Sequence, residues 1–136
     1  MVDTIIVYTD ASYHADRQYG KWGVVLQARE NVRIVKERRE SGVCRVAKNN
    51  NAAELIAIAE ALKILQPTTL PITLFTDSRE SVRAIERRDC IVGDQGLRIV
   101  GWIRQLQKKF PNLKIRWIKR EFNLAHNLTV EPRRGK

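Results

Sequence analysis

Three acidic residues stand where a folded chain can do chemistry with them. Asp10 follows a short, β-branched, nearly continuous apolar run, Thr4-Ile5-Ile6-Val7-Tyr8-Thr9, and Asp77 follows a second such run, Leu70 to Thr76. Glu54 lies in the first turn of a segment whose apolar residues recur at helical spacing. Each has a structural explanation on its own. Asp77 can cap a helix with Glu80 three residues on, Asn51 and Glu54 share that spacing, and Asp10 can stabilise a turn. Taken together they suggest more. If the two runs are neighbouring strands, their carboxylates emerge at one end of a sheet, and a helix crossing there brings up the third. Three carboxylates in one place repel and raise one another's pKa unless a cation neutralises them. Hard oxygen ligands of this kind suit Mg²⁺ or Mn²⁺ rather than zinc.

Those acids need a scaffold, and the hydrophobic pattern supplies one. Thr4 to Thr9 reads as a strand buried on both faces. Gly20 to Ala28 and Val32 to Glu40 read as two more, joined by the polar Arg29-Glu30-Asn31 turn into a hairpin. After Asn49-Asn50-Asn51 comes a helix with Leu55, Ile58, Ala59, Leu62 and Leu65 on one face, ended by Pro67. Leu70 to Thr76 is the fourth strand, and Ser78 to about Arg87 a second helix. Residues 89–96, with Gly93 and Gly96, read as a loop, and 97–110 as a third helix. Lys114 to Ile118 alternates charge with bulk as an edge-proximal strand does, and a short last helix spans about Leu124 to Val130. The order βββαβααβα predicts an α/β fold with a five-stranded mixed sheet flanked by helices.

Composition narrows the class. The 136 residues suit a single domain over 1–136, closed by a basic tail at about 131–136 that contains Arg133, Arg134 and Lys136. No apolar run is long enough to span a bilayer, no signal peptide is visible, and the expected location is cytoplasmic. Cys44 and Cys90 lack partners at metal spacing and read as free thiols of a reducing compartment. The 25 Lys and Arg against 15 Asp and Glu give a net charge of +10, which favours a polyanion partner, nucleic acid first. A strongly basic chain that concentrates acids at one point is suited to handling phosphates through metal ions. Basic residues such as Arg79, Arg83, Arg87, Arg88, Lys108 and Lys109 supply non-specific, salt-sensitive phosphate affinity, though a solvated charged face explains most of them and none is singled out. Trp22, Trp102 and Trp117 read as core aromatics, and His14 as a surface loop residue.

At this point the residues carry a resemblance. Ile6-Val7-Tyr8-Thr9-Asp10-Ala11-Ser12, then Asn50-Asn51-Ala52-Ala53-Glu54-Leu55-Ile56-Ala57, then Leu74-Phe75-Thr76-Asp77-Ser78, together resemble the type 1 ribonuclease H family over essentially the whole chain. The resemblance implies an RNase H-like fold and a monomeric endonuclease. It would cleave the RNA strand of RNA/DNA hybrids to 5′-phosphomonoesters, using two Mg²⁺ or Mn²⁺ ions. It assigns Asp10, Glu54 and Asp77 as catalytic metal ligands, with Asp10 bridging the ions and Glu54 on the leaving-group side. Ala11, Ser12, Asn50, Asn51 and Ser78 become candidate contacts to the hybrid.

The family's fourth acid is missing. It stands four residues beyond an Asn, and here Asn123 plus four is Asn127, an amide that coordinates a hard cation without bringing charge. A register with one residue deleted puts His126 there instead; Asn127 is preferred because it keeps the spacing from Arg120 and Asn123. The Arg120-Glu121-Phe122-Asn123 run resembles the branch of the family without a glycine-flanked mobile histidine, so Arg120 stands near that histidine's place and can assist product or metal release. The alternative to an enzyme is a non-hydrolytic RNA/DNA hybrid or double-stranded RNA binding module with a degenerate site.

Overall fold

The computed structural model describes residues 1–87 and 93–129. Five strands form one sheet: β1 (Thr4–His14), β2 (Tyr19–Glu30), β3 (Arg33–Cys44), β4 (Ile72–Thr76) and β5 (Leu113–Trp117). Three helices accompany them, α1 (Asn50–Ile64), α2 (Arg79–Arg87) and α3 (Gly93–Gln107), and two short 3₁₀ turns follow at Arg120–Phe122 and His126–Leu128. Sheet order is β3-β2-β1-β4-β5. The first three strands are antiparallel neighbours, while β1–β4 and β4–β5 pair in parallel. This is the mixed α/β sheet that the element order predicts.

The parallel pairing matters most. Ile5 lies opposite Ile72, and the ladder runs through Thr9 opposite Thr76. The next residues on the two strands are Asp10 and Asp77, so the register delivers both carboxylates to the same end of the sheet. The ladder is sealed there, with the Thr9 hydroxyl donating to the Phe75 carbonyl at 3.1 Å. Central strands β1 and β4 bury Val7, Ile72 and Leu74 almost completely. Each such side chain contributes roughly 1.5–3 kcal/mol on leaving water.

Helix α1 is apolar around most of its circumference, with Ala52 through Ala59, Ala61 and Leu62 all buried. A helix of that kind has to be covered on several sides; it packs on β1, β2, α2 and α3. Asn49 starts it, its side chain accepting the Ala52 backbone N–H at 2.9 Å. Three sequence expectations need correction. Strand β1 continues past Thr9 to His14, and β3 continues to Cys44, because hairpin pairing with β2 extends both. The glycines at 93 and 96 belong to α3, which ends at Gln107 rather than 110. The cost of a helical glycine, about 1 kcal/mol, is overridden by burial of Ile99, Val100 and Ile103 against α1. The rest of the expected loop, 89–92 with Cys90, lies outside the described residues, as do Arg88 and the expected basic tail.

The expected last helix is also replaced. Asn123 donates through Nδ2 to the Thr9 carbonyl at 2.8 Å and accepts the Ala125 N–H on Oδ1 at 3.1 Å. Side chain–backbone bonds of this sort compete with helical ones, and the segment forms the His126–Leu128 3₁₀ turn instead. That turn lies close against β2: a Cβ at Gly23 would fall 2.6 Å from Leu128 Cβ. Among the described residues no helix is long and apolar enough to cross a membrane.

A candidate active site of three carboxylates

Asp10, Glu54 and Asp77 each present a carboxylate oxygen within 4.8 Å of the other two. Asp10 and Glu54 are only 3% and 6% exposed. Each reaches the centre from a different element: Asp10 from β1 where its pairing with β4 stops, Asp77 just past β4, and Glu54 from the beginning of α1. The Asn49 cap sets that helix's start, so the Asn51–Glu54 spacing is not a capping pair. Ser78, rather than Asp77, caps α2: its Oγ accepts the Ser81 N–H at 3.1 Å and donates to Ser81 Oγ at 2.8 Å. Asp77 is thereby spared for the site.

The electrostatics are those of crowded acids. Burial, reinforced by the charge of Asp77, raises the Asp10 carboxyl above its ordinary value, against the lowering effect of bonds from Thr129, His126 and the Ala11 backbone. Glu54 is pushed well above the usual carboxylate range, first by burial, then by the charges of Asp10 and Asp77, with a proton on it shared toward Asp77. When both are ionised, Glu54 Oε1 and Asp77 Oδ2 are buried with no hydrogen-bond partner. Such an orphan costs about 1–3 kcal/mol, and more if charged. The exposed Arg120 stands with its Nε 4.0 Å from Asp77 Oδ2. Unsatisfied, like-charged, hard oxygen donors converging on one point fit a divalent cation.

The C-terminal segment adds two groups. Asp10 Oδ2 accepts the Thr129 hydroxyl at 2.8 Å and meets His126 Nδ1 at 3.1 Å. The structure therefore brings His126, and not Asn127, onto the Asp10 carboxylate. Asn127 is exposed and lines a neighbouring cavity of about 370 Å³ with Arg39, Arg120 and His126. The preferred four-residue count from Asn123 assumes α-helical stepping, which the 3₁₀ turn does not provide.

Beside the acids opens a cleft of about 340 Å³, whose walls include Ala11, Ser12, Asn50, Arg120 and His126. Ser12 donates to the Thr129 carbonyl at 3.0 Å. Asn51 is half-buried and Ser78 is buried, and neither lines the cleft. His14, read as a surface loop residue, ends β1 and lines it. Thr129 was not anticipated, and only its hydroxyl, three residues past a candidate ligand, hints at it. Trp22 packs on the core as expected. Trp102 and Trp117 are partly exposed, with Lys63 Nζ 5.2 Å from one ring centre and the Arg79 guanidinium 4.0 Å from the other.

An α/β sheet with a carboxylate centre at the ends of adjacent parallel strands defines a class, and comparison with known proteins specifies it. The family model RNase H matches residues 3–130. Ribonuclease H of Roseobacter denitrificans is 32% identical over 126 residues, spanning 92% of this chain and 79% of that one. Among solved structures, LC11-RNase H1, isolated from compost by a metagenomic approach, superposes with a TM-score of 0.76 at 25% identity, covering 93% and 92% of the two chains. A structure of LC11-RNase H1 in complex with an RNA/DNA hybrid gives 0.74 at 24% identity, covering 91% and 92%. The chain belongs to the RNase H family and is a ribonuclease H enzyme.

Proposed function

We propose that this enzyme hydrolyses the RNA strand of RNA/DNA hybrids endonucleolytically, with Asp10, Glu54 and Asp77 as ligands of two divalent ions. The observation that carries the proposal is the trio itself: three carboxylates within 4.8 Å, two of them with orphaned buried oxygens. The solved complex of LC11-RNase H1 with an RNA/DNA hybrid supports the substrate. Two Mg²⁺ or Mn²⁺ ions, when bound, supply Lewis-acid stabilisation of the attacking and leaving oxygens of an in-line displacement. Asp10, kept in orientation by the Thr129 hydroxyl, would be the ligand shared between the ions. Glu54 would hold the ion on the leaving-group side and engage the adjoining ribose hydroxyl.

The balance is that of a phosphodiester hydrolysis. Water's oxygen bonds to phosphorus, the P–O3′ bond breaks, and the 3′ oxygen takes a proton, leaving 5′-phosphate and 3′-hydroxyl ends. Selection for RNA falls to groups in the cleft that can bond a 2′-hydroxyl, namely the Ala11 backbone, the Ser12 hydroxyl and the Asn50 amide. Asn51 follows Asn50 at the start of α1, and Ser78 acts through the start of α2. Arg120, exposed beside Asp77, meets the phosphate and assists product or metal release. Asn127, next to His126 in the same 3₁₀ turn, faces the adjoining cavity with Arg39 and Arg120.

The test uses a hybrid with each strand labelled separately, together with double-stranded RNA and DNA of the same sequence. The enzyme with Mg²⁺ or Mn²⁺ cuts only the RNA strand of the hybrid, chelation stops it, and Asp77→Asn abolishes cleavage without loss of fold. An intact hybrid under all metal conditions would refute the proposal.

A further inference from the structure

Among the described residues, His126 touches the carboxylate trio with a nitrogen that can also ligate a metal. We infer that His126 supplies a nitrogen ligand to an ion that Asp10 holds, and so tilts the centre's selectivity from Mg²⁺ toward Mn²⁺. This rests on the reading of the trio as a divalent-ion site.

Three features of the geometry carry it. First, His126 Nδ1 lies 3.1 Å from Asp10 Oδ2. Adjacent ligands of an octahedral ion with bonds of about 2.1 Å stand about 3.0 Å apart, so the pair is already spaced as two neighbouring ligands. Second, Asp10 does not depend on His126 for its orientation, because Thr129 Oγ1 holds the same oxygen at 2.8 Å. Nδ1 can therefore turn from Asp10 to an ion without releasing that carboxylate. Third, the imidazole is partly open: its side chain is 39% exposed and borders both the cleft and the adjoining cavity. That leaves Nε2 room to carry the proton. Among the described residues only the carboxylates converge within 4.8 Å, so His126 joins through Asp10 and serves an ion on that side.

The chemistry then sets the preference. Mg²⁺ selects oxygen and dehydrates reluctantly, whereas imidazole favours transition-metal ions. Mn²⁺ accepts the three carboxylates as Mg²⁺ does and takes the nitrogen more readily. An uncharged ligand also leaves the site with less negative charge than a fourth carboxylate would, which penalises the ion bound mainly by charge.

The experiment is pulsed electron paramagnetic resonance on the Mn²⁺-loaded protein, with ¹⁵N-labelled histidine, alongside Mn²⁺ and Mg²⁺ titrations of wild type, His126→Ala, His126→Asp and Asp10→Asn. Expected are a histidine nitrogen coupling in the wild type that His126→Ala removes, and a drop of about tenfold in the Mn²⁺-to-Mg²⁺ affinity ratio in His126→Asp. Mn²⁺ bound without nitrogen coupling, coupling that survives in His126→Ala (as it would if His14 were the ligand), or an unchanged ratio in folded His126→Asp would each overturn the inference. The wild-type spectrum needs no variant to fold. Failure of the underlying reading looks different: Mn²⁺ affinity would be indifferent to Asp10→Asn.

Discussion

Glu54 shows how a single residue can be costly to the fold and necessary to the site. It is buried on α1 with one oxygen unpartnered, and its carboxyl is raised well above the ordinary range by burial and by Asp10 and Asp77. Replacing it with Gln removes a like charge, so Glu54→Gln is expected to stabilise the metal-free protein by about 1 kcal/mol at neutral pH while abolishing hydrolysis. The sign with pH follows. A carboxyl with a raised folded pKa gives its full stability below the unfolded value and loses it as pH rises through the folded one. Metal-free wild type should therefore lose stability as pH rises above the ordinary carboxylate value, more steeply than Glu54→Gln, as thermal melts in chelator will show. The three acids were legible in the sequence because Asp10 and Asp77 each follow an apolar run and Glu54 opens a segment of helical apolar spacing. The group beside Asp10 was legible only as the alternative register, His126, because the preferred count to Asn127 takes the segment to be α-helical and it forms a 3₁₀ turn.

At the scale of elements, the site depends on where strands and helices begin and end. Parallel pairing of β1 with β4 sets Asp10 beside Asp77, and Ser78 caps α2 immediately after. Ser78→Ala is expected to cost about 1 kcal/mol in denaturant titration through loss of the cap, with KM for the hybrid unchanged, which separates a capping role from substrate contact. Asn123 ties the C-terminal turns to the Thr9 carbonyl, one residue before Asp10. Asn123→Ala leaves that buried acceptor unpaired and should cost about 1–3 kcal/mol, together with weaker metal binding as Thr129 and His126 drift from Asp10. Strand and helix order could be read from periodicity, and the β2–β3 hairpin from its polar turn. The extension of β1 to His14 could not, because residues 11–14 gain strand structure from β2 pairing and not from apolar alternation.

Over the whole molecule, a net charge of +10 surrounds an acidic centre. The exposed edge strand β3 carries Arg33, Lys36, Arg38 and Arg39, and Arg39 reaches the cavity beside His126. Part of this charge is spent internally, Arg38 on Glu40 and Arg39 on Glu37. The remainder should make hybrid binding salt-dependent: with some four phosphate contacts, affinity is expected to fall about 100-fold between 50 and 200 mM salt, measured by fluorescence anisotropy with the catalytically dead Asp77→Asn. An uncharged mode of binding would leave it flat. The basic balance was plain in the sequence; its distribution was not, because strand pairing and α3, not composition, decide which arginines share a face.

The central claim is that the three acids bind divalent ions. Anomalous diffraction from crystals soaked in Mn²⁺ tests it most directly. The account predicts a manganese peak between the carboxylates of Asp10, Glu54 and Asp77, absent from Asp10→Asn crystals; a saturating soak that leaves this position without anomalous density, with the ion found elsewhere, would contradict it.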